Sequence, residues 1–187
     1  MTRQDRADAT GYAASVLVGY ASRHRGTVEI AEEIGERLEA SGHRPTVAPL
    51  SEVADLAPFE AVVLGSAVYE ENWLPEAEAF LAREFDVLGA RPLWLFSSGV
   101  LMTLGLSSRV WLPTKLRPIS RALKPRGVIC FGGKLEHARL SREDRRRNPQ
   151  LLALEGDYRD WEIIDAWTAD ISRALARLGE GRERAAE

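Results

Sequence analysis

The chain has 187 residues, 45% of them apolar and 28% charged, with a formal net charge of −3. That length suits one domain with a sizeable core, and no run of ~18 apolar residues is present to span a membrane. The single cysteine, Cys130, excludes an internal disulfide, argues against an iron–sulfur or structural zinc site, and fits a reducing cytoplasm.

Residues 1–14 are polar, lack an apolar signal core and read as a disordered lead-in. Ser15–Tyr20 (SVLVGY) is a β-branched apolar run, a first buried strand. A polar turn, Ala21–Gly26, leads to a helix from Thr27, with Ile30, Ile34 and Leu38 on one stripe. Its opening turns carry Glu29, Glu32 and Glu33, which suit the positive end of the helix dipole, and Gly42 is placed to end it. Arg44–Leu50 holds two prolines and reads as an edge strand. Ala61–Gly65 is the second strong strand, and Pro75–Phe85 a helix with Ala77, Phe80, Leu81 and Phe85 inward.

Pro92–Phe96 reads as a strand and Arg109–Lys124 as a helix, with Pro113 in its first turn and a kink at Pro118. Gly127–Phe131 is the last strand, and Ile163–Leu178 a helix with Ile163, Trp167, Ile171, Leu175 and Leu178 on one stripe. Asp160 is placed to cap that helix, and Trp161 and Trp167 read as core. Residues 15–178 thus form one domain, and 179–187 a flexible tail. Apolar strands without alternation, separated by helices, imply a parallel sheet covered on both faces. The expected fold is an α/β three-layer sandwich with a five-stranded parallel sheet, for which two strand orders are common, 2-1-3-4-5 being one of them.

In such a sheet a ligand sits beyond the carboxyl ends of the strands, which points to the loops Ala21–Gly26, Ser66–Leu74 and Ser97–Ser108. Ser22-Arg23-His24-Arg25-Gly26-Thr27 joins a strand to a helix. A phosphate settles readily at a helix N-terminus, where backbone N–H groups are unpaired. The Ser22 and Thr27 hydroxyls and the Arg23, His24 and Arg25 side chains can add hydrogen bonds. The other reading is a plain helix cap with solvated basic residues. The loop has phosphate-binding character without G-x-G-x-x-G, which favours a mononucleotide. Cys130 reads as a small buried residue, and His43 and His137 as isolated loop histidines. No His/Cys/Asp/Glu grouping has metal-ligand spacing.

Val18–Ala31 resembles the first strand and phosphate loop of flavodoxins, most closely the flavodoxin-domain branch that includes menaquinone-dependent protoporphyrinogen oxidase. The resemblance continues through Val63–Tyr69, Leu95–Gly99, Gly132–Leu135 and Gly156–Glu162. It implies a flavodoxin-like fold, hence the sheet order 2-1-3-4-5, and an FMN cofactor. The family loop reads T/S-x-T-G-x-T: Ser22 and Thr27 match its outer hydroxyls, His24 stands at the second, and Arg25 replaces the glycine. Arg25 in that place either strains the loop or shifts it by one residue; the expectation is the shift, with Gly26 supplying the backbone freedom while Arg25 tunes phosphate binding by charge. The resemblance also implies a ring site between Ser66-Ala67-Val68-Tyr69 and Ser97-Ser98-Gly99. Tyr69 and Trp73 are the stacking candidates, Tyr69 the preferred one, since Trp73 has the other reading of packing under Leu74 against the following helix; Ser97, Ser98 and Gly99 stand at the pyrimidine edge.

Residues 88–147 carry 13 of the 25 Lys/Arg but 3 of the 28 Asp/Glu. The basic residues Arg109, Lys115, Arg117, Arg121, Lys124 and Arg126 surround the apolar stretches Val100–Leu106 and Val110–Leu112. The resemblance implies an FMN-dependent oxidoreductase, with a quinone or other redox partner and an anionic porphyrinogen as substrate; no nucleic-acid partner is expected. The basic residues have two readings, one that they only keep a helix in solution over apolar core, the other that they meet anionic lipid; the expected location is cytoplasmic, with peripheral contact at the inner face of the cell membrane on the second reading. The alternatives are a small electron carrier, or a binding module of the same fold that has lost FMN.

Overall fold

The apolar runs become strands and the amphipathic stretches become helices, in the expected alternation. The computed structural model describes residues 12–100 and 112–186. In chain order the elements are β1 (Ser15–Ala21), α1 (Gly26–Ala40), β2 (Arg44–Pro49), β3 (Ala61–Tyr69), β4 (Asn72–Trp73), α2 (Pro75–Arg83) and α3 (Phe85–Gly89). There follow β5 (Leu93–Gly99), α4 (Arg117–Leu123), β6 (Gly127–Gly132), β7 (Lys134–Leu135), α5 (Arg142–Arg147), β8 (Gly156–Asp157) and α6 (Trp161–Ala186).

The main sheet runs β2-β1-β3-β5-β6, all parallel, which is the order 2-1-3-4-5 for the five long strands. β2 is the exposed edge, where its prolines cost no central ladder bond. The central strands are buried on both faces because helices cover both. Val16, Val18, Val63 and Phe96 pack under Ile30, Ile34 and Leu38 of α1 and Ile164 and Ile171 of α6. Leu17, Leu64 and Leu95 pack on the other face against Phe80 and Leu81 of α2 and Leu123 of α4. Gly65 marks one close approach: a Cβ there would stand 1.9 Å from Phe96 Cζ, so the ring occupies the space that a side chain would take.

Several local expectations are corrected. Phe85 does not face inward: α2 stops at Arg83, and Phe85 begins α3 at 37% exposure. The helix expected over Arg109–Lys124 is a 3-10 turn, Thr114–Leu116, followed by the short α4, and Arg109 lies outside the described residues. Pro118 produces no kink because it falls in the first turn of α4, where proline is tolerated. Trp161 is not core. It is exposed, with the Arg159 guanidinium 4.5 Å from its ring centroid, whereas Trp167 does pack, edge-on to Phe96 and Phe131.

Asp160 caps α6 by accepting from the Ile163 N–H at 3.1 Å. α6 then continues as helix through most of the segment expected as a tail. Much of the expected lead-in lies outside the described residues, but Tyr12 packs beside Gly179. His43 is not a bland loop residue: it is buried, with Nδ1 accepting from the Ala14 N–H and Nε2 3.1 Å from Ser172 Oγ. His137 Nε2 likewise lies 3.2 Å from the Leu151 carbonyl. Burial pushes the Cys130 thiol up to about 12, so it stays protonated.

Candidate functional site

The turn between β1 and α1 lies at the carboxyl end of the sheet, at the β1/β3 point where the strand order reverses. Arg25 is the N-cap of α1, with φ 66° and no side-chain capping bond. The Glu29 N–H donates to the Arg25 carbonyl at 3.1 Å and closes the first helical turn. The N–H groups of Gly26, Thr27 and Val28 therefore have no intrahelical acceptor. The roles expected of residues 25 and 26 are exchanged. Arg25 itself takes the left-handed conformation, and Gly26 is ordinary helix. What Gly26 permits is contact: a Cβ there would stand 3.4 Å from the Lys134 backbone nitrogen.

A cavity opens beside this turn, and Ser22, His24, Gly26 and Thr27 form one wall. Ser22 Oγ is buried and lacks a hydrogen-bond partner. Thr27 Oγ1 lies 2.8 Å from Ser98 Oγ. Arg23 faces away from this wall, with its guanidinium 4.9 Å from the Tyr69 ring centroid.

The second wall is the end of β3, Ala67, Val68 and Tyr69. The chain reverses there through Glu70 and Glu71, both at positive φ as a two-residue hairpin turn requires, into β4. Ser66 Oγ accepts from the Leu74 N–H at 3.0 Å and holds the base of the hairpin. Burial, then the Asp144 charge, pushes the Tyr69 phenol up to about 12, against the pull of Arg23, so it stays a neutral hydroxyl. Trp73 does not stack on anything that this cavity could hold. It is core, 2% exposed, and its indole N–H donates to Ser97 Oγ at 2.9 Å. Ser97 is spent on that bond, whereas Ser98 and Gly99 reach the cavity.

The third wall comes from residues 133–160, none of which the sequence reading placed in the site. Lys134, Leu135, Asn148 and Leu151 close the cavity from above, and Val100, Leu135, Leu140 and Leu151 form a small core of their own. The segment is tied down by charge. Arg159, its side chain 3% exposed, reaches Glu29 on α1 at 2.7 Å and also pairs with Asp157. Burial works against the Glu29 carboxylate, but the Arg159 hydrogen bond and charge, then Lys134, outweigh it and hold its pKa below the usual value. Asp144 caps α5 through Ser141 and faces Arg23 at 3.9 Å and His24 at 3.7 Å. The resemblance did reach Gly132–Leu135 and Gly156–Glu162. Asn148, Leu151 and Asp144 carried no local signal, because their roles arise only when the segment folds back over α1.

Residues 17–157 match the protein-family model described as Flavodoxin domain. The chain belongs to the flavodoxin domain family. Among solved structures, this flavodoxin domain is similar to a flavodoxin from the domain Archaea, at 17% identity and TM-score 0.53, over 86% of this chain and 98% of that one. It is similar as well to the flavodiiron core of Flv1 from Synechocystis sp. PCC6803, at 15% identity and TM-score 0.61, over 89% of this chain and 37% of that one. A third is the rubredoxin oxygen:oxidoreductase from Desulfovibrio gigas, at 16% identity and TM-score 0.58, over 86% and 36%. The chain thus spans nearly all of the archaeal flavodoxin and little more than a third of the other two proteins. At these identities the likeness is one of fold. No curated protein sequence matches the chain significantly.

Proposed function

We propose that this flavodoxin domain binds FMN in the cavity at the β1/β3 switch point and works as a redox protein. The observation that carries the reading is the uncapped N-terminus of α1, which opens into a cavity beside a buried, unpartnered Ser22 Oγ. A phosphate monoester fits that donor set: three backbone N–H groups and a hydroxyl converge where the helix dipole favours an anion. Tyr69 offers a neutral aromatic wall for a flat ring, and Ser98 and Gly99 offer main-chain groups to its polar edge. A bound flavin would supply the electron chemistry. The protein's own groups bind, orient and shield it. Thr27 and Ser98, joined by their hydroxyls, fix the distance between the phosphate wall and the ring wall. The 133–160 segment limits solvent access from above.

The finer reading has a porphyrinogen as electron donor and a quinone as acceptor. Its support is the five-segment resemblance and the exposed cations on the face of α4 and at its end, Arg117, Arg121, Lys124 and Arg126, which would meet a carboxylate-bearing substrate or an anionic lipid surface. That same face weighs against a simple electron carrier docking on a basic partner.

Titration of apo-protein with FMN tests the primary reading. Saturable quenching of flavin fluorescence is expected, with FAD binding far more weakly. No saturation at about tens of micromolar FMN would sink it. Quinone-dependent reoxidation of the reduced, loaded protein tests the acceptor.

A further inference from the structure

His24 stands in the phosphate loop where the family pattern has a hydroxyl, and it is not an idle surface residue. Its Nε2 is buried, has no hydrogen-bond partner, and lies 3.7 Å from Asp144 Oδ2. The side chain is 15% exposed and lines the cavity with Ser22, Gly26 and Thr27. The facing carboxylate is held in place, because Asp144 Oδ2 accepts from Ser141 Oγ at 2.7 Å and from the Ser141 N–H at 3.1 Å. A fixed anion therefore points at a buried imidazole nitrogen on the wall of the site.

We propose that His24 is the specificity-determining cation of this site. It takes up a proton when a phosphate monoester dianion settles against α1, and the imidazolium then bridges that anion and Asp144. The inference rests on the FMN reading and extends it. A neutral imidazole has one N–H. If that group is aimed at Asp144, the other nitrogen presents a lone pair, which repels a phosphate oxygen, whereas an imidazolium donates in both directions.

The groups around the ring set the empty site against protonation. Burial comes first. Asp144 from α5 opposes it, and Arg23 in the same loop and Arg139 before α5 add to it, so the imidazole pKa lies below its ordinary value. Tyr69 on β3, its ring centroid 6.1 Å away, contributes a neutral phenol. A phosphate dianion brings about two negative charges to this wall and reverses the balance.

Affinity for the phosphorylated ligand then rises as pH falls from the pKa of the complex toward that of the empty site, by up to about tenfold per pH unit. Protonation of the phosphate near pH ~6 ends the rise. The same device separates FMN from riboflavin, which brings no charge to pull the proton in.

Calorimetric titration of the full chain with FMN, in two buffers of different ionisation enthalpy, counts the protons. The expected result is uptake approaching one proton per FMN near about pH 7.5, with affinity falling at higher pH. Riboflavin should show neither effect. Inorganic phosphate alone, giving the same uptake, supports a loop effect independent of the ring. His24→Gln should abolish the uptake and flatten the pH profile. Asp144→Asn, which still caps α5, should diminish both. FMN binding without proton uptake, or with uptake unchanged in His24→Gln, overturns the inference and leaves the FMN reading standing. No saturable FMN binding overturns both.

Discussion

Thr27 Oγ1 and Ser98 Oγ lie 2.8 Å apart, both residues buried, and join the first turn of α1 to the end of β5. The bond spans the two walls between which the flavin is proposed to lie. Thr27→Val keeps the volume but leaves the Ser98 hydroxyl without its partner in a dry place, a loss of about 1–3 kcal/mol. Denaturant unfolding should report that loss, and FMN titration a weakening of about tenfold or more. Ser98→Ala, which strands the Thr27 hydroxyl instead, should behave alike.

Arg25 holds φ 66° at the N-cap of α1, the position where the family pattern has glycine. A left-handed non-glycine residue costs roughly 1–2 kcal/mol. The clean comparison is Arg25→Gly against Arg25→Ala, since both remove the charge and only one relieves the backbone. The glycine variant should be the more stable by about 1 kcal/mol, measured as a shift in the denaturant midpoint at constant slope. Its FMN affinity should stay within about tenfold of the native value. Tightening by orders of magnitude would mark the native loop as a damaged site.

Tyr69 and Trp73 are two aromatic residues of one hairpin, with opposite assignments. Tyr69→Ala should weaken FMN by several-fold to tenfold, the scale of a lost aromatic stack at about 0.5–1.5 kcal/mol, with little change in stability. Trp73→Phe removes the donor to Ser97 Oγ inside the core, so it should cost about 1–3 kcal/mol of stability and act on FMN only through the displaced β5 end. Paired thermal melts and FMN titrations of the two variants separate the roles. A Trp73→Phe protein of native stability with sharply weakened FMN would return Trp73 to the ring site.

The contrast between these residues shows where the sequence was informative. β1, β3 and α1 were legible because burial on both faces, or on one stripe, leaves a periodic trace over many residues. The parallel pairing followed from the alternation of strands and helices, the sheet order from the flavodoxin resemblance, and the phosphate turn from its place between a strand and a helix. Trp73 was ambiguous because a large aromatic after a turn suits a ring site as well as a core, and its partner Ser97 is 24 residues away. Arg25 and Gly26 were exchanged because a glycine next to a departure draws the assignment of positive φ to itself. The roof was invisible for another reason: Asp144, Asn148 and Leu151 act on the site through long-range folding of a short, charged segment that leaves no periodicity.

Arg159 with Glu29 and Asp157 clamps that roof to α1. The pKa values of both carboxyls lie below their ordinary ones in the folded protein. A depressed carboxyl contributes stability above its unfolded pKa, about 3.9–4.3, and loses it as pH falls through the folded value. Stability should therefore drop as the medium is acidified below about pH 4.5. Arg159→Met should cost roughly 1–3 kcal/mol at neutral pH and make the acid loss shallower, because the carboxyls no longer have their partner. Denaturation midpoints measured from neutral to acid pH, in both proteins, check the sign. An Arg159→Met profile that runs parallel to the native one would remove the clamp from the account.

The outer face of α4 carries an unbalanced charge. Arg117, Arg121, Lys124 and, just beyond the helix, Arg126 are exposed, and among the described residues no carboxylate lies within ion-pair distance of them, whereas Lys115 precedes α4 and lines a second cavity with Glu78, Glu143 and Asp144. Leu123 packs toward Gly89 of α3, which brings that helix into the same layer, with Phe85 and Val87 each 37% exposed. Most of the apolar stretch that precedes α4 lies outside the described residues. Cations beside exposed apolar side chains suit an anionic lipid surface, where each Lys/Arg contributes about 1 kcal/mol and the apolar contacts supply the second weak signal. Vesicles containing phosphatidylserine should co-sediment the protein at low ionic strength and release most of it at about 0.5 M salt, where screening is strong. The charge reversals Arg117→Glu, Arg121→Glu and Lys124→Glu together should abolish the binding while FMN affinity is kept, since none of the three lines the cavity. A protein that ignores such vesicles at low salt would assign the α4 face to a soluble anionic substrate or partner.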